Sequence, residues 1–204
     1  MSKTCLYLML LVFIATPALA DNLEGSCQLR FYGDSTLHSF DGQGACTPFI
    51  LEIENRDGSR YLDTAQVEVP VAGFDTDNSS RDKTMRGMFD SELYPKITGT
   101  FSDLRVDALL ADWQATGAGE LPFMVTVRDV TRPVTASVIR LSVTPEQVTA
   151  TFELPVSLAD FGLEAPGVLG IIRVADAVRV EIDLQLKGTF NVPGKEVSQI
   201  PEAQ

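Results

Sequence analysis

Apolar and polar residues alternate with a period of two along most of the chain from residue 28 onward. The clearest case is residues 178–187, where Val, Ile and Leu at even positions alternate with charged or amide residues at odd positions. Successive side chains of a β-strand point to opposite faces, so this pattern predicts strands with one buried and one solvated face. Five further runs share it: Phe49, Leu51 and Ile53; Val67, Val69 and Val71; Ile97 and Phe101; Leu121, Phe123, Val125 and Val127; Val148, Ala150, Phe152 and Leu154.

The predicted strands are expected to be curved and to be joined by short turns. Between residues 134 and 143 the apolar phase switches near Val138 and Ile139, which is typical of a β-bulge or a strong bend. Residues 55–58 and 144–147 are rich in turn-forming residues. Roughly eight strands with few helices favour an all-β fold, a closed or nearly closed antiparallel barrel, because closure removes edge strands. A β-sandwich is the structural alternative.

One short amphipathic helix is predicted over residues 80–93. The serine at position 79 and the aspartate at position 82 have the spacing of a capping box. Three apolar residues then share one helical face, and a proline follows the segment. The residues of this apolar face are Met85, Met88 and Phe89.

The remaining segments show no clear period. Residues 158–176 contain three glycines and a proline, and they are predicted to form an ordered, lid-like loop. Residues 191–204 are predicted to form a disordered tail. No repeat or linker divides the sequence between these features, so residues 21–190 are expected to form one domain.

The first twenty residues have the pattern of a removable leader. Lys3 precedes an apolar run over residues 6–15, and residues 18–20 (Ala-Leu-Ala) provide a small-x-small cleavage pattern. The apolar run is about half of the ~20 residues that a membrane-spanning helix needs, and no comparable run follows. We therefore expect residues 1–20 to be a secretory signal peptide, the protein to be periplasmic, and the mature chain to lack a transmembrane segment.

Two of the three cysteines, Cys27 and Cys46, follow the leader. An even pair in an exported protein most simply forms a disulfide, and two buried free thiols are the alternative. Closing a loop of this length would stabilise the protein by ~3 kcal/mol through the unfolded state.

Charge and composition exclude several classes of function. The net charge is −12, and removal of the leader, with its single lysine, would make it one unit more negative. Such a surface repels phosphate backbones and anionic lipid head groups, so nucleic acid is not expected as a partner.

Catalytic and metal-binding patterns are sparse. His38 is the only histidine, whereas a histidine-based zinc site takes two or three. The sequence contains no G-x-S-x-G elbow, glycine-rich phosphate loop or C-x-x-C pair. Residues 75–79 resemble the start of a calcium loop, but Ser80 and Arg86 stand where that loop needs glycine and a bidentate acid. We therefore expect no enzyme activity, no metal and no cofactor.

Large, soft apolar side chains exceed what a tightly filled barrel interior needs. They could line a cavity, although ordinary core packing is the simpler interpretation of composition alone. The residues are Phe31, Phe74, Met85, Met88, Phe89, Phe101, Phe152 and Phe161.

Four segments, in order, resemble the motifs of one bacterial family. Residues 35–42 (STLHSFDG) resemble its opening strand, and residues 81–97 contain both its helix motif (RDKTMRG) and its "YP-x-I" entry into the next strand. Residues 127–134 (VRDVTRPV) are similar to its "I-x-G-V-T-x-P-V" hairpin, and residues 160–162 to its late "D-F-G" loop. Over about residues 30–188 the chain thus resembles the YceI-like family.

Three positions depart from the family pattern. Thr84 stands where many members have a histidine in the helix, and Asp129 replaces the glycine of the hairpin. Leu158 or Ala159 occupies the place of an arginine before D-F-G.

The resemblance implies an eight-stranded, antiparallel, lipocalin-like periplasmic barrel that carries or sequesters a polyisoprenoid, a quinone-like molecule or a similar long-chain lipid, with no chemical step. Under this interpretation one set of residues lines the lumen and another lies nearer the mouth. The lumen set is Phe101, Phe123, Val125 and Phe152; the mouth set is Met85, Met88, Phe89 and Phe161; Phe31 and Phe74 complete the predicted ligand-binding residues.

Two other hypotheses remain open from the sequence. In the first, the barrel is filled, and its acidic outer face docks a basic periplasmic, membrane or electron-transfer partner. In the second, His38 and an acid such as Asp34 or Asp41 act chemically on a bound lipid.

Overall fold

The computed structural model describes residues 21–165, 167–168 and 172–190. The predicted signal peptide and the predicted tail lie outside these residues. Ten strands, two α-helices and two 3-10 turns make up the described part. The strands are β1 (Asp21–Ser35), β2 (Ser39–Ala45), β3 (Phe49–Arg56), β4 (Ser59–Pro70), β5 (Lys96–Arg105), β6 (Gly119–Val127), β7 (Val130–Val143), β8 (Gln147–Ser157), β9 (Gly167–Val168) and β10 (Ile172–Lys187).

Eight of these strands close into an antiparallel barrel, as the sequence predicts. The order is β1-β3-β4-β5-β6-β7-β8-β10, and β10 pairs with β1 to complete the circle. The second half of β1 pairs with β2 instead of β3. The segment between β2 and β3 is hydrogen-bonded to β4, since the Thr47 N–H donates to the Glu68 carbonyl over 2.8 Å. β2 and β3 therefore act together as one interrupted strand of the wall.

The predicted bend and turns are confirmed. The register between β7 and β8 shifts between Val138 and Arg140, which marks the bulge at the predicted phase switch. The β3–β4 turn centres on Asp57 and Gly58, both with positive φ, and residues 144–146 connect β7 to β8. Short connections place neighbouring strands side by side, so the inward positions of all eight strands face one interior.

Helix α1 (Ser79–Met88) lies between β4 and β5 at one end of the barrel, which we call the mouth. It is shorter than predicted, although hydrogen-bonded turns continue to Tyr94. Its N-cap is Asn78, whose side chain accepts from the N–H groups of Ser80 and Arg81, so the predicted capping box is wrong. The Asp82 carboxylate instead accepts from the backbone and hydroxyl of Thr76 and closes the preceding loop.

The segment predicted as a loop over residues 158–176 is partly strand. A 3-10 turn (Ala159–Phe161) follows β8, and β10 already begins at Ile172 and pairs with β9 there. Residues 166 and 169–171 lie outside the described part. The start of β10 was not predicted, because the glycines and the proline before it interrupt the alternation of apolar and polar residues that indicates a strand.

A second helix, α2 (Val106–Thr116), was not predicted. It follows β5 and crosses the end of the barrel opposite the mouth, which we call the closed end. It is anchored by Asp107, whose carboxylate accepts hydrogen bonds from the Arg60 backbone over 2.6 Å and from Arg60 Nε over 2.8 Å. The Arg60 guanidinium also lies 4.5 Å from the centre of the Phe190 ring. These contacts hold α2 across the closed end of the barrel.

The anchor of α2 should be sensitive to acid. Burial alone would raise the pKa of Asp107, but hydrogen bonds from the side chain and backbone of Arg60 outweigh burial and hold this pKa below its ordinary value. A carboxyl whose pKa is lowered by folding stabilises the protein above its unfolded pKa, and this contribution is lost as the pH falls below about 4. We expect Asp107→Asn to lower the free energy of unfolding by about 1–2 kcal/mol at pH 7 and to flatten its acid dependence, measured by urea unfolding between pH 7 and pH 3.

Asp112→Asn is the matched control, since Asp112 is an exposed carboxylate on the same helix. Equal pH profiles for the two variants would show that the Arg60–Asp107 contact does not hold α2.

Candidate functional site: the barrel lumen

The barrel encloses an elongated apolar cavity of about 650 Å³. Inward side chains from all eight barrel strands line its walls. On its wall, Phe101 and Phe123 stack with ring centres 4.8 Å apart, and both are half-buried because they face the cavity. The interior is therefore hollow, which the sequence left open.

All ten predicted ligand-binding residues lie on the cavity wall. Five lie on strands of the barrel, two lie on α1, and the other three lie on the turns that follow β4, α1 and β8. Whether these ten contact a ligand stays a prediction. They are Phe31, Phe74, Met85, Met88, Phe89, Phe101, Phe123, Val125, Phe152 and Phe161.

An aromatic cluster narrows the lumen near the mouth. The ring of Phe74 lies 5.4 Å from that of Phe31 and 5.9 Å from that of Phe89, in edge-on and tilted arrangements. Two glycines on the inward face of β2 make room for this cluster. A Cβ on Gly42 would lie 2.3 Å from Phe31, and one on Gly44 would lie 2.7 Å from Phe74. Gly42, the last residue of the 35–42 motif, and Gly44 thus have a packing role.

The closed end is lined by residues that the sequence reading missed. Val106, Leu109 and Leu110 of α2 face the cavity, and buried Phe190 lies beside them. Val106, Leu109, Leu110 and Trp113 have the helical spacing i, i+3, i+4, i+7. This spacing is the signal that could have revealed the helix and its apolar face. Trp113 packs against the β7–β8 wall and does not line the cavity.

Among the residues that the structure describes, polar side chains line the cavity only at the mouth. They come from the β1–β2 hairpin and from the first two turns of α1, and several are exposed, so the cavity reaches solvent there. These residues, the polar mouth, are Ser35, His38, Asn78, Ser80, Arg81 and Thr84.

The turn after β8 covers part of the mouth with Phe161 and Leu163, both buried. Asp176 at the start of β10 holds this turn, since it accepts from the Ser157 hydroxyl over 2.6 Å and from the Ala159 N–H over 2.7 Å. These two hydrogen bonds lower the pKa of Asp176, although burial opposes them. Arg132 Nε also donates to the Asp160 carbonyl, over 3.1 Å. The D-F-G loop is thereby fixed at the rim.

Cys27 and Cys46 form a disulfide that joins β1 to the end of β2, with their Cα atoms 5.3 Å apart. The predicted pairing is confirmed, and the bond links the two strands of the first hairpin. Cys27 also lines the cavity. The bond therefore fixes the hairpin that carries Phe31 and two residues of the mouth, Ser35 and His38.

The chemical groups around the lumen suit binding. Within the described residues, no three His, Cys, Asp or Glu side chains lie close enough together to hold a metal ion. His38 lies at the rim and is exposed, as are Asp34 and Asp41, the acids proposed from the sequence. The cavity therefore offers an apolar ligand apolar walls and a small polar entrance.

No helix in the described part of the chain has the length and apolar character needed to cross a bilayer.

Fold and cavity together define a lipocalin-like class of protein, a closed antiparallel barrel with an apolar lumen open at one end. The model of the YceI-like domain family matches residues 30–186, and the chain belongs to this family. No protein of curated function matches the sequence significantly.

Three solved structures share the fold. BcnA from Burkholderia cenocepacia is 17% identical with a TM-score of 0.58, and the match covers 78% of this chain and 95% of that one. A polyisoprenoid binding domain from Saccharophagus degradans, implicated in plant cell wall breakdown, is 16% identical with a TM-score of 0.55, covering 83% and 99%. A YceI protein from Campylobacter jejuni is 13% identical with a TM-score of 0.50, covering 79% and 85%. At these identities the likeness supports the fold alone.

Proposed function

We propose that this protein is a periplasmic carrier or sequestering protein that holds the chain of a polyisoprenoid, or of a similar long lipid, in its barrel lumen without chemical change. The observation that carries the proposal is the hollow, almost wholly apolar cavity of about 650 Å³, open at one end. This volume lies within the range of roughly 300–1,000 Å³ that is typical of small-molecule sites.

The energetics favour an apolar chain as the guest. Burying apolar ligand surface gains roughly 25 cal/mol per Å², so several hundred Å² of chain gains several kcal/mol before the cost of immobilisation. The methionines at the mouth, Met85 and Met88, are flexible and adapt to a chain with many conformers. Affinity in the micromolar range or tighter is expected.

Family and fold support the same substrate class. One of the solved structures with this fold is described as a polyisoprenoid binding domain. The leader pattern of residues 1–20 supports export to the periplasm.

The filled-barrel hypothesis has less support. It expects a densely packed interior, whereas half-buried Phe101 and Phe123 face an open lumen. Ion pairs cover part of the outer face, for example Arg30 with Glu181 and Asp183. Docking of a basic partner to the acidic surface would weaken steeply with salt, which separates it from uptake of an uncharged lipid.

The test is extraction and reloading. The full-length protein is expressed in a bacterium, purified from the periplasmic fraction, extracted with organic solvent, and the extract analysed by mass spectrometry. The stripped protein is then titrated with geranylgeraniol and with longer polyprenyl alcohols, and complexes are counted by native mass spectrometry. We expect one chain per barrel with a dissociation constant of about 1 µM or below.

Repeated absence of lipid in the extract, together with no uptake of any polyprenyl chain by stripped and correctly folded protein, would overturn the proposal. Recovery of the protein only from the cytoplasm, with residues 1–20 still attached, would overturn the proposed location.

A further inference from the structure

The polar mouth contains one group that the apolar cavity does not explain. Arg81 is the only Asp, Glu, Lys or Arg residue among the described residues that line the cavity. It is half-buried, on the first turn of α1. The net charge of the protein is −12, so a single arginine at the entrance of an apolar cavity points to a role in binding.

The guanidinium of Arg81 is held in place by neutral groups. One terminal nitrogen donates to the Thr76 carbonyl, and the guanidinium lies 5.1 Å from the centre of the Phe40 ring. Both contacts orient a cation, but neither neutralises it. Phe40 itself lines the cavity, so the guanidinium is fixed at the entrance.

Within the described part of the chain, the positive charge of Arg81 has no carboxylate partner. None of the ion pairs among the described residues includes it, and neighbouring Asp82 is turned toward Thr76 instead. Its Nε atom is buried without a hydrogen-bond partner. A partly desolvated cation costs free energy, and an acceptor at the mouth that reaches the exposed side of the guanidinium would offset that cost.

The other polar groups of the mouth are largely engaged within the protein. The Ser35 hydroxyl donates to the His38 carbonyl, Asn78 caps α1, and the Thr84 hydroxyl donates to the Ser80 carbonyl. Arg81 is therefore the group best placed to recognise something from outside. Arginine binds carboxylate and phosphate oxygens with charge-assisted hydrogen bonds, which are stronger than neutral ones.

We propose that Arg81 recognises an anionic head group, so that the guest is an amphiphile with an apolar chain in the lumen and a carboxylate or phosphate ester at the mouth. This inference rests on the proposed function, because it assigns the head group of the molecule whose chain fills the cavity.

The test uses probes with matched chains and different head groups. Geranylgeraniol is a neutral alcohol, geranylgeranylacetone a neutral acceptor, geranylgeranoic acid a carboxylate and geranylgeranyl phosphate a phosphate ester. We expect wild-type protein to bind at least one of the two anions about tenfold or more tightly than both neutral probes, with a preference that shrinks as salt is raised. The ratio of the two anions then identifies carboxylate or phosphate as the preferred head.

Arg81→Gln should abolish the preference for the anion, because it should weaken binding of the anion about tenfold more than binding of geranylgeraniol, which gains little from the charge. The matched control is Lys83→Gln, which removes an exposed positive charge two residues away on the same helix, outside the cavity lining, and should keep the preference. If Arg81→Gln does not fold, Arg81→Lys is used instead. This variant keeps the charge but loses the planar guanidinium, and it should retain only part of the preference for the anion.

Three results would overturn the inference. Wild-type protein that binds all four probes equally would remove the head-group site while leaving the proposed chain-binding function intact. Equal loss of affinity for alcohol and anions in Arg81→Gln would show that Arg81 only ties α1 to Thr76. Binding of none of the probes by folded wild-type protein would overturn the chain-binding function and this inference with it.

Discussion

Replacing Gly99 with phenylalanine should abolish chain binding while the barrel still folds. Gly99 lies on β5, lines the cavity and is paired with Val67 and Val125 on the neighbouring strands. A Cβ at this position would meet Phe101 and Phe123 at 3.6 Å, which is ordinary contact, so the backbone accommodates a side chain. A benzyl group there would project into the lumen and occupy space that the guest needs.

The size of the effect follows from the methylenes that the new ring displaces. Each buried CH₂ contributes ≈ 0.8 kcal/mol, so displacing four costs about 3 kcal/mol, or more than about a hundredfold in affinity. Affinity is measured by titrating the stripped variant with geranylgeraniol, and folding by circular dichroism and thermal unfolding. Strand propensity favours phenylalanine over glycine, so the melting temperature should not fall.

Thr100→Phe is the control for Gly99→Phe. Thr100 is the next residue of β5, and its side chain points to the opposite face of the sheet, away from the cavity. This variant carries the same ring on the outer wall and should bind the chain with wild-type affinity. If Gly99→Phe folds and binds as wild type does, the chain does not occupy the lumen, and the proposed function fails.

The wall of the barrel was predictable because strand alternation is a local signal. A residue such as Val180 shows its burial through its neighbours two positions away, and this holds in whichever strand order the sheet adopts. The four predicted lumen residues, which all lie on strands, reached the cavity for the same reason, whereas helical spacing identified Met85, Met88 and Phe89. The phase switch near Val138 is equally local and correctly located the bulge.

The hollow and the polar mouth could not be read from the sequence. Whether Phe101 fills the interior or lines a cavity depends on the separation of opposite walls, which is set by strand number and tilt. Arg81 becomes a mouth residue only because α1 folds back toward the β1–β2 hairpin, where Phe40 meets the guanidinium. The closed end was missed for a different reason, since the apolar spacing from Val106 to Trp113 is helical inside a chain otherwise dominated by strands.

Loss of the Cys27–Cys46 bond should be the largest change in stability among the predictions made here. The cysteines are 19 residues apart in the sequence, and opening a loop of this size costs about 3 kcal/mol through the greater entropy of the unfolded chain. For a domain of this length that corresponds to a fall in melting temperature of roughly 6–12 °C. Both sulfur-bearing residues are buried, so alanine is the appropriate replacement, because it introduces no buried hydroxyl.

Four samples isolate the contribution of the bond: wild type and Cys27→Ala/Cys46→Ala, each with and without reductant. The reduced wild type should melt at a temperature close to that of the double variant, and the double variant should not respond to reductant. The bond also holds the strands that carry Phe31 and His38, so the double variant should release a bound chain faster as its mouth loosens. A wild-type melting temperature that reductant leaves unchanged, with free thiols detected after treatment, would show that packing of the hairpin against α1 and β4 suffices without the covalent link.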